Sequence, residues 1–88
     1  MSAAGKRHLA IIKSLPCGLC GASGPSDAHH IREGQGISQR AHDFLAIPLC
    51  KDCHQGAHNG IHGNRAMWRI MKKDELTVLA ETIEMLVI

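Results

Sequence analysis

Cys50-Lys51-Asp52-Cys53-His54 repeats, in its first four residues, the spacing of Cys17-Gly18-Leu19-Cys20, and these two pairs decide the fold. A C-x-x-C pair can place two thiolates on one ion, and two pairs separated by 29 residues can close a four-sulfur tetrahedral site. Soft thiolates select Zn²⁺ over Mg²⁺ or Ca²⁺. The competing readings are two disulfides or four inert buried thiols. Disulfides require an oxidising compartment. Near the start the longest apolar run, Leu9-Ala10-Ile11-Ile12, stops at Lys13, too short for the core of an export signal or for a membrane span. The expectation is a cytoplasmic chain without a membrane partner, holding structural Zn²⁺ on Cys17, Cys20, Cys50 and Cys53.

Length makes such a staple useful. A chain of 88 residues is one domain, and Phe44 and Trp68 are its only aromatic residues, so its core is aliphatic and thin. At this size only roughly 60–65% of the unfolded surface is buried on folding. A structural zinc can add on the order of 10–16 kcal/mol of folding free energy. The chain reads as a single domain over residues 1–88, with a motif core at about 15–58 and a helical extension at 64–88.

Around the cysteines, Gly5–Lys13 suits a helix and residues 22–26 a turn. Asp27–Arg32 suits a short strand, residues 33–43 a loop, and Phe44–Leu49 a strand in which Pro48 marks an edge or an end. A short helix over about 51–59 would stop at Asn59-Gly60. Asn64 would cap the next helix, with Arg65, Arg69, Lys72 and Lys73 forming one basic stripe. Asp74 would cap a last helix whose apolar stripe is Leu76, Leu79, Ile83 and Leu86, a face for the core or for a weak homodimer. All ten Lys and Arg lie in residues 1–73 beside four acids, a local charge of +6, and residues 74–88 carry four acids and no base. A basic body favours a polyanionic partner.

The histidines complete the picture. Asp27-Ala28-His29-His30-Ile31 puts two adjacent His on a strand, where neighbours point to opposite sides. His54 directly follows the second cysteine pair, and His58 lies four residues on, which on a helix is the same face.

Together these motifs resemble the HNH (ββα-metal) nuclease superfamily, many of whose members combine C-x-x-C, a D/H-H-I/V strand and a strand ending in C-x-x-C-H. The resemblance covers about residues 15–58. The string AHHIREGQGISQRAHDFLAIPLCKDCH is similar to small phage HNH proteins, including the RecA-dependent recombination-enhancement nucleases. It implies a small α+β, zinc-stapled ββα-metal fold with an N-terminal helix and one or two C-terminal helices. His29 and His54 would hold a catalytic divalent ion (Mg²⁺, Mn²⁺, Ni²⁺ or Zn²⁺), His58 would be an additional ligand, and His30 the general base. The family's middle Asn is replaced here by Leu45. Asp43 is the nearest polar substitute for orienting the base, and the Leu45 carbonyl is the other candidate.

Chemistry agrees with these roles. Phosphodiester cleavage needs an activated water and a cation at the leaving oxygen, and a neutral imidazole, ordinarily of pKa ~6.5, can take the water's proton. The expected function is a metal-dependent DNA endonuclease or nickase, with Arg40, Lys51, Arg65, Arg69, Lys72 and Lys73 as phosphate contacts and a recombinase filament as a further partner. The alternative is a non-catalytic zinc module binding DNA or a recombination protein and keeping a relic of the site.

Overall fold

Ser2 starts the first element. Its hydroxyl accepts the Gly5 N–H at 3.0 Å and caps α1, Ala3–Ser14. The helix ends at Leu15, which is extended, as the residue before Pro16 tends to be. The structure is a computed structural model that describes residues 2–37, 39–56, 60, 61, 63 and 65–87.

Two short strands follow. β1 (Asp27–His30) pairs antiparallel with β2 (Ala46–Leu49), in the register Asp27–Leu49, Ala28–Pro48, His29–Ile47 and His30–Ala46. Both are shorter than the sequence suggests, and the hydrogen bonds say why. Ile31 N–H donates to the Leu45 carbonyl at 3.0 Å, but the next donor, Arg32 N–H, turns away to the Glu75 carboxylate. On the facing side Leu45 N–H closes a turn onto the His42 carbonyl at 2.8 Å, so Phe44 and Leu45 lie outside the strand. Pro48 is tolerated because each strand of a two-stranded sheet is an edge. Its carbonyl accepts from Gly18 N–H of the first cysteine knuckle at 2.8 Å.

β2 is buried along its whole length and leads into α2, Lys51–Gln55. Cys50 Sγ caps this helix by accepting the Cys53 N–H, and extended Gly56 ends it earlier than the expected 59. Ala57, His58 and Asn59 lie outside the described residues.

Two helices close the chain. α3 (Ala66–Met71) is bracketed by Arg65 and Lys72, both in the left-handed region at φ 63° and 55°. The expected cap Asn64 is not among the described residues. Arg65 therefore precedes α3 and Lys72 and Lys73 follow it, so the basic residues do not form the single helical stripe that their spacing suggests.

α4 (Glu75–Val87) begins as expected, with Asp74 Oδ1 accepting the Thr77 N–H at 2.8 Å. Its buried face, however, is Glu75, Val78, Leu79 and Thr82. Of the expected stripe only Leu79 is buried, and Leu76 and Ile83 are nearly half exposed. Val78 sets the rotation of the helix: a Cβ on Gly18 would lie 2.7 Å from Val78 Cγ1, so only glycine lets the knuckle and α4 meet so closely.

The core gathers Leu19, Ile31, Ile47, Leu49, Ile61, Trp68, Val78 and Leu79 with the sulfurs of Cys17 and Cys53. The result is a small α+β fold with one two-stranded sheet, and no described helix is long and apolar enough to cross a membrane.

Candidate metal centre and histidine sites

The four cysteines converge. Their Sγ atoms all lie within 4.8 Å of one another, none is in a disulfide, and Cys20 Sγ is 3.7 Å from Cys50 Sγ. Zinc–sulfur bonds of about 2.3 Å in a tetrahedron put sulfurs about 3.8 Å apart, so the cluster fits a zinc ion. Backbone N–H groups of Leu19 and Cys20 point at Cys17 Sγ, and that of Cys53 at Cys50 Sγ, at 3.4–3.5 Å. Such donors favour thiolate. Burial opposes ionisation of Cys17, but the N–H groups of Cys20, Cys50 and Leu19 outweigh it and bring the thiol down to about 7. Burial, then the neighbouring sulfurs, push Cys53 up, and burial raises Cys20. Crowded sulfurs that resist ionising together make a site suited to a divalent cation.

The neighbouring His29 and His30 of β1 have different partners, as alternation on a strand requires. His29 is buried, its Nδ1 3.2 Å from Nε2 of His54 on α2. Two nitrogens bound to one ion at about 2.0–2.1 Å lie roughly 3.0–3.4 Å apart, so this pair also fits a shared divalent cation. Each ring's other nitrogen meets a carboxylate. His54 Nδ1 is 3.0 Å from Asp27 Oδ2, and His29 Nε2 is 2.6 Å from Glu75 Oε2.

His30 faces the loop. Its Nε2 is 2.8 Å from Asp43 Oδ1, and the hydrogen bond from His30 holds the Asp43 carboxyl below the usual carboxylate range. Of the two groups expected near His30, Asp43 and Leu45, it is the Asp43 side chain that meets its Nε2. The Leu45 carbonyl accepts the Ile31 N–H at 3.0 Å. α1 lies directly over this contact: a Cβ on Gly5 would come 2.5 Å from Asp43 Oδ2.

Glu75, Asp27 and Gly5 are contributors that the sequence reading does not assign to the site. Glu75 carries a faint signal, an acid at the head of α4's buried face. Burial raises its pKa, yet hydrogen bonds from His29 and from the N–H groups of Arg32 and Glu33 more than compensate and hold it below the usual range.

The proposed phosphate contacts are scattered. Lys51 is exposed in the first turn of α2, and Arg40 is exposed 4.0 Å from Asp43. Arg65 Nε donates to the Ile61 carbonyl at 3.0 Å, and Arg69 and Lys72 are exposed. Lys73 is committed to Glu81 at 2.8 Å. His58, the expected additional metal ligand, lies outside the described residues.

Similarity to known proteins is limited. The chain is similar to an uncharacterized protein, YdfU, of Escherichia coli (strain K12), with 38% identity over 48 residues. That stretch is 53% of this chain and only 14% of the length of YdfU. No solved structure matches the chain. The family described as "Protein of unknown function (DUF968)" matches residues 2–85, almost the whole sequence, and the chain belongs to that family.

Proposed function

We propose that this chain is a metal-dependent endonuclease or nickase of the HNH type, hydrolysing DNA phosphodiesters with His30 as general base. One observation carries the reading: two adjacent histidines of β1 are divided between a second histidine, His54, and a carboxylate, Asp43. The order of β1, β2 and α2, with the cysteine cluster at the start of α2, supports a ββα-metal arrangement.

Asp43 accepts the proton-bearing Nε2 of His30, which leaves the Nδ1 lone pair to take a proton from water. As the imidazolium forms, the ionised Asp43 stabilises it, the part a carboxylate plays behind a histidine base. His29 and His54 would hold the divalent cation, which when bound supplies positive charge at the leaving oxygen. Cys17, Cys20, Cys50 and Cys53 would hold a structural Zn²⁺ that fixes α2, and hence His54, against the knuckle. The ends left would be a 5′-phosphate and a 3′-hydroxyl, as in the nucleases that this sequence resembles.

The deciding experiment is a nicking assay on supercoiled plasmid, using zinc-loaded protein with Mg²⁺, Mn²⁺ or Ni²⁺. Open-circle product that disappears in His30→Ala is the expected result. Plasmid left supercoiled by the wild type across pH 6–9 would favour the non-catalytic zinc module instead.

A further inference from the structure

Glu75 is the one carboxylate among the buried polar side chains of the described residues, at 5% exposure. It comes from the start of α4, 46 positions beyond His29. Carboxylates are almost never buried without partners, and these partners are specific. Oε1 accepts the N–H groups of Arg32 and Glu33, both at 2.9 Å. Oε2 accepts Arg32 N–H again at 3.1 Å and meets His29 Nε2 at 2.6 Å.

A carboxylate fixed on one side by backbone donors can only accept from the imidazole on the other. His29 therefore carries its proton on Nε2 and presents the Nδ1 lone pair toward His54. Asp27 does the same from the opposite end, taking the proton of His54 Nδ1 and leaving the Nε2 lone pair facing inward. Two lone pairs aimed at each other across 3.2 Å repel, so the gap holds either a proton shared as an N–H···N bond or a metal cation, and the two carboxylates behind the rings favour positive charge in it. A carboxylate behind a metal-binding histidine fixes its tautomer and orientation and raises its basicity.

We infer that Glu75 is a positioning residue for a divalent cation shared by His29 and His54, which makes α4 part of the metal site. The inference rests on the nuclease reading above, since it takes from that reading the cation at these two histidines. A merely structural Glu75 would only tie α4 to the chain after β1, and Glu75→Gln keeps an oxygen for those backbone donors. Gln also places an N–H₂ group within reach of His29 Nε2, which favours the Nδ1–H tautomer and blocks the inward lone pair.

The test uses the full chain with its structural zinc loaded. Calorimetric titration with Mn²⁺ or Co²⁺ compares wild type, Glu75→Gln and His29→Ala. Wild type should bind one further ion, His29→Ala none, and Glu75→Gln should bind it about 10–100-fold more weakly. Imidazole nitrogen NMR of wild type with a second Zn²⁺ should show His29 protonated on Nε2, a readout that does not depend on any variant folding. Equal affinity in wild type and Glu75→Gln, or His29 protonated on Nδ1, would overturn the role of Glu75 and leave the nuclease reading standing. A wild type that binds no second ion would overturn both.

Discussion

His30 Nε2 and Asp43 Oδ1 lie 2.8 Å apart, joining β1 to the far end of the loop that separates the strands. The hydrogen bond from His30 holds the Asp43 carboxyl below the usual carboxylate range, so Asp43 is a carboxylate throughout the neutral region. Asp43→Asn should lower kcat by on the order of 10²–10⁴ without weakening DNA binding, because the tautomer is no longer fixed. His30→Ala should abolish cleavage. Single-turnover nicking beside a binding titration separates the two effects, and an unimpaired Asp43→Asn would remove Asp43 from the mechanism.

Gly5 makes a second route to the same contact. Alanine is the better helix former by about 1 kcal/mol, so Gly→Ala at an open helix position normally stabilises the helix, but Gly5 is buried. Here the added methyl would meet Asp43 Oδ2 and Cβ, at 2.5 and 3.2 Å. Gly5→Ala is expected to slow nicking, and to add little once Asp43→Asn is present. Full additivity in that double-mutant cycle would show that α1 does not act through Asp43.

For the cysteines, native mass spectrometry should find one Zn²⁺ retained per chain after mild chelation. Cys50→Ser should lose the ion and unfold the chain, because Cys50 joins the cluster to the start of α2 and zinc supplies on the order of 10–16 kcal/mol. A folded, metal-free wild type recovered under reducing conditions would contradict this.

Asp74 predicts a pH effect. The Thr77 N–H holds its carboxyl below the ordinary value, so its folded-state pKa is lower than its unfolded one. The cap's stabilisation is therefore complete above the unfolded pKa of about 3.9 and is lost as pH falls through the folded value. Asp74→Ala should melt a few degrees below wild type, by the same margin at pH 5.5 and pH 8. A margin that changes across that window would assign the effect to another group.

Neutralising Arg69 and Lys72 together should weaken DNA binding for all sequences alike, and flatten the log–log salt dependence by roughly one unit per lost contact. Lys73→Gln should change the slope little, because its ammonium is held by Glu81. If Lys73 instead has the largest effect, the ion pair must open on binding.

What was legible in the sequence was local. C-x-x-C spacing, adjacent histidines on a strand and an Asp cap are each readable within a few residues, and the four cysteines do converge. Strand lengths were overread, because the donor that ends β1, Arg32 N–H, is diverted by a side chain 43 positions away. The face of α4 was misread for a related reason. Apolar spacing favoured Leu76, Ile83 and Leu86, but contact of Val78 with Gly18 rotates Glu75 inward instead. Glu75 then finds its partners only across the fold, where no periodicity points.

The reach from His29 to Glu75 also bears on the order in which the molecule assembles. Thiolate binding to zinc closes the chain between Cys20 and Cys50 and brings β1 toward α2, shortening the search that joins His29 to His54. The contact with Glu75 spans a longer stretch of chain and waits for α4 to dock. If the cysteines take up zinc first, a newly made chain would thus be stapled between Cys20 and Cys50 before α4 completes the contacts of His29. Pulse-labelled hydrogen exchange during refolding from the zinc-bound state would show that sequence as protection at Cys53 before Arg32.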